Sequence, residues 1–202
     1  MKRILIFSIC VLSLFSCTQN NVNQTVSHET NSYKVIELID SIVSLYPNLY
    51  VNDVHNERFL LFLYMELDKK LTEDNTFLAE VPMCFSQMLK KGDKYILKFE
   101  CGKYTTNDNK LISQNSDTQI SYAIFAEVDA DFASTLENES IYTLTGNYKG
   151  YVDGKLELPS GKVFNYERYC RKYGKYDPGS VCLGGLLFDD ISVIKIKSKN
   201  SY

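Results

Sequence analysis

The side chains of this sequence that are best suited to nucleophilic or metal chemistry are two histidines and six cysteines. A Ser-His or Cys-His nucleophile would have to use His55, which is far in sequence from any cysteine, because His28 lies in a polar N-terminal stretch. The cysteines form no CxxC pair, and the motifs HExxH, GxxxxGKS/T and GxGxxG do not occur. The sequence therefore predicts no metal site and no bound cofactor.

Carboxylates are plentiful, and two acidic pairs stand near the ends of predicted strands, Asp129 with Asp131 and Asp189 with Asp190. A glycoside hydrolase needs two carboxyl groups roughly 5–10 Å apart, so a glycan hydrolase stays open as an alternative. Acidic pairs at strand ends are more often solvated turn residues. We therefore predict no catalytic residues and no enzymatic activity.

A basic, tyrosine-rich segment is the strongest candidate for ligand contact. Residues 153–183 form an insertion, and between residues 162 and 176 five basic side chains stand against a single acidic one, Glu167. Aromatic rings interleaved with cations hold sugars, bases or anionic chains by stacking and charge. The candidate ligand-binding residues are Tyr166, Arg168, Tyr169, Arg171, Lys172 and Tyr173. The alternative is a solvated loop fastened by a disulfide between Cys170 and Cys182.

The N-terminus predicts export. Lys2 and Arg3 precede twelve mostly apolar residues, a run too short to span a bilayer and typical of a secretory signal. The sequence LFSC at residues 14–17 resembles a bacterial lipobox, which implies cleavage after residue 16 and lipidation of Cys17. An ordinary secretory signal is the alternative. Residues 17–31 are polar and predict a flexible tether, and the exported compartment favours disulfides.

Two helices are predicted before any strand. Apolar residues recur at helical spacing over residues 32–47, with Ser32 as N-cap and Pro47 as the stop. A second helix is predicted over residues 53–71, which gives an N-terminal helical pair at residues 32–72. Residues 59–65 are apolar on every side, which indicates burial on several sides or, alternatively, a strand.

The period changes to two after Pro82 and predicts a β-hairpin that turns at Gly92-Asp93. Counting outward from this turn pairs Lys91 with Lys94, Met88 with Leu97 and Ser86 with Phe99. The same register places Cys84 opposite Cys101, close enough for a disulfide.

Three further strands and a short helix complete a predicted β domain at residues 77–200. The strands span residues 119–129, 139–152 and 186–196, and the helix spans residues 130–138. Gly146 marks a bulge or bend. In the last strand Ile191 and Val193 share one face and Ile194 and Ile196 the other, so either both faces are covered or a bulge lies near Val193. This order predicts an α+β fold, mainly antiparallel, with a five-stranded OB-like barrel.

The runs ADFASTLENESIYTLTGNYKGYV and GGLLFDDISVIKI resemble the second half of OB-fold domains of the tRNA-anti-like type, which occur in small bacterial lipoproteins. The resemblance covers residues 82–200 without the insertion. It implies the fold and, because most members of this group have no assigned activity, it implies little about function.

These observations predict an outer-membrane lipoprotein that faces the periplasm and contacts the membrane through its N-terminal lipid. Removal of Lys2 and Arg3 with the leader leaves 20 basic residues against 25 acidic, a net charge of −5, and we predict no nucleic-acid partner. The predicted function is that of a non-catalytic binding module for an envelope protein or glycan. An immunity or inhibitor lipoprotein, or a glycan hydrolase, is the alternative.

Overall fold

A computed structural model describes residues 33–46, 52–101, 118–152, 155–157, 163–165, 176–177 and 180–197. The predicted leader, the lipidation site Cys17 and the tether at residues 17–31 lie outside the described residues. So do the candidate ligand-binding residues Tyr166, Arg168, Tyr169, Arg171, Lys172 and Tyr173. Predictions that concern them stay predictions.

The two N-terminal helices form as predicted. Helix α1 spans Lys34–Leu45 and helix α2 spans Asp53–Glu73. The N-cap of α1 is Tyr33, whose side chain makes no capping hydrogen bond, so the predicted cap at Ser32 is wrong. The side chain of Asn52 caps α2 by accepting a hydrogen bond from the backbone N–H of His55 at 3.1 Å. Within the described residues, none of the helices is long and apolar enough to cross a bilayer.

The apolar stretch at residues 59–65 is helical, and only one side of it is buried. Phe59 and Leu63 are fully buried, whereas Leu61 is 59% exposed and Met65 is 56% exposed. The buried side is broad, because Leu60, Phe62 and Tyr64 also pack against the core or are buried, but the predicted burial is incomplete. The alternative of a strand is wrong. Continuous apolar sequence does not reveal which face of a helix meets the core.

Five strands form a mixed, mostly antiparallel sheet that closes into a barrel-like ring, which confirms the predicted fold class. They are β1 (Met83–Lys91), β2 (Lys94–Glu100), β3 (Gln119–Val128), β4 (Ile141–Tyr151) and β8 (Ser180–Lys197). Their order around the ring is β1-β2-β3-β8-β4, and only the β3–β8 pairing is parallel. Two residue pairs between described parts of β4 and β1, Met83 with Tyr142 and Cys84 with Ile141, close the ring.

Short elements complete the described chain. Helix α3 spans Ala130–Ser134, shorter than predicted, and connects β3 to β4. Strands β5 (Lys155–Glu157) and β6 (Val163–Asn165) form a small hairpin within the insertion. Strand β7 (Tyr176–Asp177) pairs with the start of β8, which begins six residues earlier than predicted.

The predicted β1–β2 register is wrong in the half of the hairpin far from the turn, because β1 contains a β-bulge there. The pairs Lys91–Lys94 and Met88–Leu97 are confirmed, but the register shifts between Phe85 and Gln87. As a result Phe85 pairs with Phe99, where Ser86 was predicted, and Cys84 pairs with Glu100, where Cys101 was predicted.

This shift excludes the predicted Cys84–Cys101 disulfide. Since successive side chains of a strand point to opposite faces, a shift of one residue turns the two cysteines away from each other. Both are buried thiols in the structure. The predicted bridge between Cys170 and Cys182 stays a prediction, because Cys170 lies outside the described residues.

Gly146 lies at a bulge, as predicted. The β4–β8 register shifts between Thr145 and Asn147, so that two residues of β8 lie opposite this one glycine. A Cβ atom at Gly146 would lie 2.9 Å from Cγ2 of Ile191 and 3.0 Å from the backbone oxygen of Asp189. Asp190, in the wider side of the bulge, has a φ of 47°. The bulge therefore depends on the close approach that glycine permits.

The apolar residues on both faces of β8 have a different explanation from the two that were predicted. Its register with β4 is continuous from Ser192 to Lys195, and the bulges lie on either side of this stretch, at Asp190–Ile191 and at Ile196. Ile191 and Val193 pack against the core, whereas Ile194 is 68% exposed and Ile196 is 51% exposed. The second face of this segment is therefore left open to solvent.

The main hydrophobic core lies between the two N-terminal helices and the inner face of the ring. Val35, Ile39, Phe59 and Leu63 of the helices join inward-facing residues of all five strands, among them Leu97. A second, smaller cluster lies on the outer face and consists of Ile96, Ala123, Phe125 and Val152. Strand β3 is therefore buried on both faces.

Candidate functional site

The histidine and acidic residues that could do chemistry have local structural partners. The Nδ1 atom of His55 lies 2.9 Å from Oδ1 of Asn52, within the N-cap of α2. Asp129 is the N-cap of α3, and its Oδ1 accepts a hydrogen bond from the backbone N–H of Phe132 at 2.7 Å. Asp131 lies in the first turn of the same helix, where a carboxylate is favoured by the helix dipole.

The two cysteines of the hairpin are buried, with exposures of 2% for Cys84 and 3% for Cys101. Burial raises the pKa of the Cys101 thiol well above its ordinary value, because the apolar surroundings disfavour the thiolate. A thiol held in its neutral form is a poor nucleophile. Among the described residues, no group of three or more His, Cys, Asp or Glu side chains could hold a metal ion.

A cavity of about 390 Å³ on the outer face of the ring is a candidate site formed by described residues. We call it the outer groove. It lies against β2, β3 and β8, between the turn that joins β1 to β2 and the end of β4. It is lined by Lys91, Ile96, Phe125, Ala126, Glu127, Lys149, Tyr151, Val152, Leu187, Phe188 and Asp189.

The floor of the outer groove is apolar because the second hydrophobic cluster forms it. Ile96 and Val152 are each 7% exposed and Phe125 is 1% exposed, while Leu187 is 40% exposed. Phe125 and Leu187 are paired on the neighbouring parallel strands β3 and β8, so the sheet register brings them together. The floor therefore presents one accessible aliphatic side chain on a tightly packed base.

The rim of the outer groove carries charges of both signs in ion pairs. Nζ of Lys91 lies 3.0 Å from Glu127, and Nζ of Lys94 lies 3.5 Å from the same carboxylate. Across the groove, Nζ of Lys149 lies 2.8 Å from Asp189. The hydrogen bond from Lys91 and the nearby positive charges lower the pKa of Glu127. The hydrogen bond to Asp189 and its charge raise the pKa of Lys149.

Aromatic contacts fasten one wall of the outer groove to helix α2. The Tyr151 ring meets the Tyr64 ring edge-on at 5.6 Å and the Tyr148 ring edge-on at 6.2 Å. The Tyr148 hydroxyl donates a hydrogen bond of 2.5 Å to Oδ1 of Asp68, and the Tyr64 hydroxyl donates one of 3.2 Å to the backbone oxygen of Cys182. The groove is thus held in shape by a helix that does not line it.

Sequence reasoning missed the outer groove, although one signal of it is legible. The run YAIFA at residues 122–126 is apolar at both alternating sets of positions, which indicates a strand buried on both faces. The acidic residue Asp189, considered as part of a pair, does lie on the rim. Its neighbour Asp190 instead accepts a hydrogen bond of 3.1 Å from the side chain of Asn147.

Comparison with known proteins finds no matching family model, no matching curated protein and no matching solved structure.

Proposed function

We propose that this protein is a lipid-anchored binding module of the bacterial envelope, and that its outer groove receives an apolar side chain of a protein partner. The proposal combines the leader, whose lipobox-like end predicts lipidation of Cys17, with the location of the groove on the ring. The single observation that carries the binding site is the apolar floor bounded by a charged rim.

The location of the groove agrees with an OB-like module. The five strands follow the ring order β1-β2-β3-β8-β4, and a helix stands between β3 and β4. In OB folds ligands lie on the face of the second and third strands, beside the loop after the first strand and the loop before the last. The groove lies against β2 and β3, next to Lys91 at the first loop and Val152 at the second.

The charges of the rim favour binding over hydrolysis. A general acid needs a carboxyl group whose pKa is raised toward neutrality. The pKa of Glu127 is lowered instead, because two lysines stabilise its ionised form. Lysine–carboxylate pairs at a rim contribute mainly to specificity and association rate, as they do around many protein interfaces.

The floor favours a protein partner over a glycan. Sugars stack on an accessible aromatic face, but Phe125 is 1% exposed and Phe188 is 4% exposed. The third aromatic residue of the lining, Tyr151, is partly buried and its ring packs edge-on against two other tyrosines. Accessible Leu187 and its aliphatic neighbours suit an apolar side chain instead. Burial of one side chain of leucine size contributes about 1.5–3 kcal/mol, the range typical of an interface anchor.

The first experiment that tests the site is photo-crosslinking in the envelope. A photoreactive benzoylphenylalanine replaces Leu187 in one variant and Leu45 in the control. Both residues are exposed leucines, but Leu45 lies at the end of α1 and does not line the groove. We expect a discrete adduct at position 187 only, with its protein component identified by mass spectrometry.

The second experiment measures the affinity of this chain for the purified partner that the crosslinking identifies. We expect Leu187→Lys to raise the Kd at least tenfold, since it places a charge over the apolar floor, and Leu45→Lys to leave the Kd unchanged. Equal affinity of both variants and the wild type would show that the groove is not the binding site. The variant Arg168→Glu/Arg171→Glu/Lys172→Glu reports separately on the basic insertion.

The anchor is tested on its own. We expect radiolabelled palmitate to enter the wild-type chain and not the Cys17→Ala variant, which should also remain unprocessed. Labelling of the variant, or unchanged processing, would refute the lipoprotein part of the proposal and leave the groove untouched.

A further inference from the structure

The last part of strand β8 has one edge without a neighbouring strand. β3 accompanies β8 as far as the pair Ala126–Phe188 and ends two residues later. Beyond that point β8 pairs only with β4, through register pairs that run from Asn147–Asp189 to Ile141–Lys197. Among the described residues, none hydrogen-bonds to the other edge of residues 191–197, a segment we call the β8 arm.

The β8 arm exposes two apolar side chains on either side of Lys195, and the second, Ile196, lies at a register shift with β4. Ile194 is 68% exposed and Ile196 is 51% exposed, and both are β-branched residues well suited to pairing between strands. An exposed strand edge with apolar side chains is a template for addition of another strand.

The charge that normally protects such an edge is neutralised here. Lysine on an edge strand discourages pairing because it repels a like partner and resists dehydration. Lys195 lies between the two isoleucines, but its Nζ is 2.6 Å from the Glu137 carboxylate of the same chain. The arm can therefore approach a second lysine-bearing strand with its own charge already compensated.

We propose that the β8 arm is a self-association surface, on which a second copy of this chain adds its own β8 arm in antiparallel orientation. A two-fold axis beside Lys195 places Ile194 of one copy opposite Ile196 of the other, and the reverse. The surface is thus self-complementary, as a two-fold interface requires. This favours a second copy over an unrelated strand, which would have to supply a matching apolar pair. The proposal does not depend on the outer groove.

The oligomeric state tests the proposal directly. The full chain is purified in detergent and its protein mass is measured by sedimentation equilibrium in density-matched buffer over a range of concentrations. We expect a monomer–dimer equilibrium for the wild type and a monomer for Ile194→Lys/Ile196→Lys. The control Leu45→Lys removes an apolar side chain of similar exposure (66%) from helix α1 and should dimerise as the wild type does. All three carry the same N-terminus, so association through it affects them equally.

A wild-type chain that stays monomeric at every concentration would overturn the proposal. So would an isoleucine double variant that dimerises as strongly as the control. Circular dichroism and the unfolding temperature show whether the double variant is folded. We expect it to be folded, because both substituted side chains are exposed.

Cysteine crosslinking tests the antiparallel register. With the axis beside residue 195, the two cysteines of a Lys195→Cys dimer lie opposite each other. The two cysteines of a Ser192→Cys dimer are offset by six residues along the strands, roughly 20 Å at 3.4 Å per residue. In oxidised envelopes we expect a dimer band on a non-reducing gel for Lys195→Cys and not for Ser192→Cys or the wild type. No band for Lys195→Cys, or equal bands for both variants, would refute this pairing.

Discussion

Substitution of Gly146 by alanine probes the bulge that positions the rim of the outer groove. The added Cβ would lie 2.9 Å from Cγ2 of Ile191 and 3.0 Å from the backbone oxygen of Asp189. The first contact can relax by a side-chain movement, but the second is with backbone, so β8 must shift. Overpacking of this kind costs about 1–3 kcal/mol, and the lower entropy of the unfolded alanine chain offsets about 0.4–1 kcal/mol.

We therefore expect Gly146→Ala to lower the free energy of unfolding by about 1–2 kcal/mol. Urea denaturation followed by circular dichroism measures this change as a shift of the midpoint at constant slope. The variant Ile191→Ala, combined with Gly146→Ala, separates the two contacts. In the Ile191→Ala background, Gly146→Ala should cost less stability than it does in the wild type, because the contact with the Ile191 side chain is gone. Some of the cost should remain, because the contact with the Asp189 oxygen persists.

Gly150→Ala is the matched control, because it has a φ of 123° but nothing within 4 Å of an added Cβ. Its cost should come from backbone strain alone and should be independent of Ile191. Stability of Gly146→Ala equal to or above that of the wild type would refute the close approach of β4 and β8 at this bulge. The close approach would also be refuted if Ile191→Ala changed the stability of both glycine variants by the same amount.

Three further predictions concern separate parts of the molecule. Tyr148→Phe removes the hydrogen bond to Asp68 that fastens the groove wall to α2, and should lower the free energy of unfolding by about 1–2 kcal/mol. A double-mutant cycle with Asp68→Ala, which removes the acceptor, should assign the loss to this pair, and independent effects of the two substitutions would contradict it. Cys84 and Cys101 should resist alkylation by iodoacetamide in the native protein and react in urea, with mass spectrometry of the labelled peptides as the readout; rapid native labelling would mean that the hairpin is not packed as described. The pKa of Asp74 is lowered from 3.8 to about 2, mainly by its hydrogen bond from Lys34. Its contribution to the free energy of unfolding is therefore complete above pH 3.8 and is lost as the pH falls through 2. The stability of Asp74→Asn should depend less on pH over this acid range, and a pH dependence parallel to that of the wild type would refute the contact.

The elements that depend on local sequence could be predicted. The Gly-Asp turn fixes the outer half of the β1–β2 hairpin, because a two-residue turn determines which residues face each other. The helical spacing of α1 and the glycine bulge in β4 are also local signals. Both are correct in the structure, although the bulge also requires the close approach of β8, which is distant in sequence.

The elements that depend on distant contacts could not be predicted. The bulge at Phe85 arises where β1 exchanges backbone hydrogen bonds with the segment before β4, through Ser140 and Glu139. The outer groove requires the parallel pairing of Phe125 with Leu187, two residues that are widely separated in sequence. Alternation along a single strand contains no information about either contact.

The two residue pairs that join β1 to β4 give the ring a seam. Two backbone hydrogen bonds of Phe85, with Ser140 and Glu139, extend this seam. Among the described residues it is still the shortest of the five pairings that make up the ring. The seam lies at the first residues of both strands, whereas the groove lies beyond their far ends, at Lys91 and Val152. The contact that closes the ring and the groove proposed for recognition are therefore separated by the length of the strands, so that a substitution at one does not contact the other.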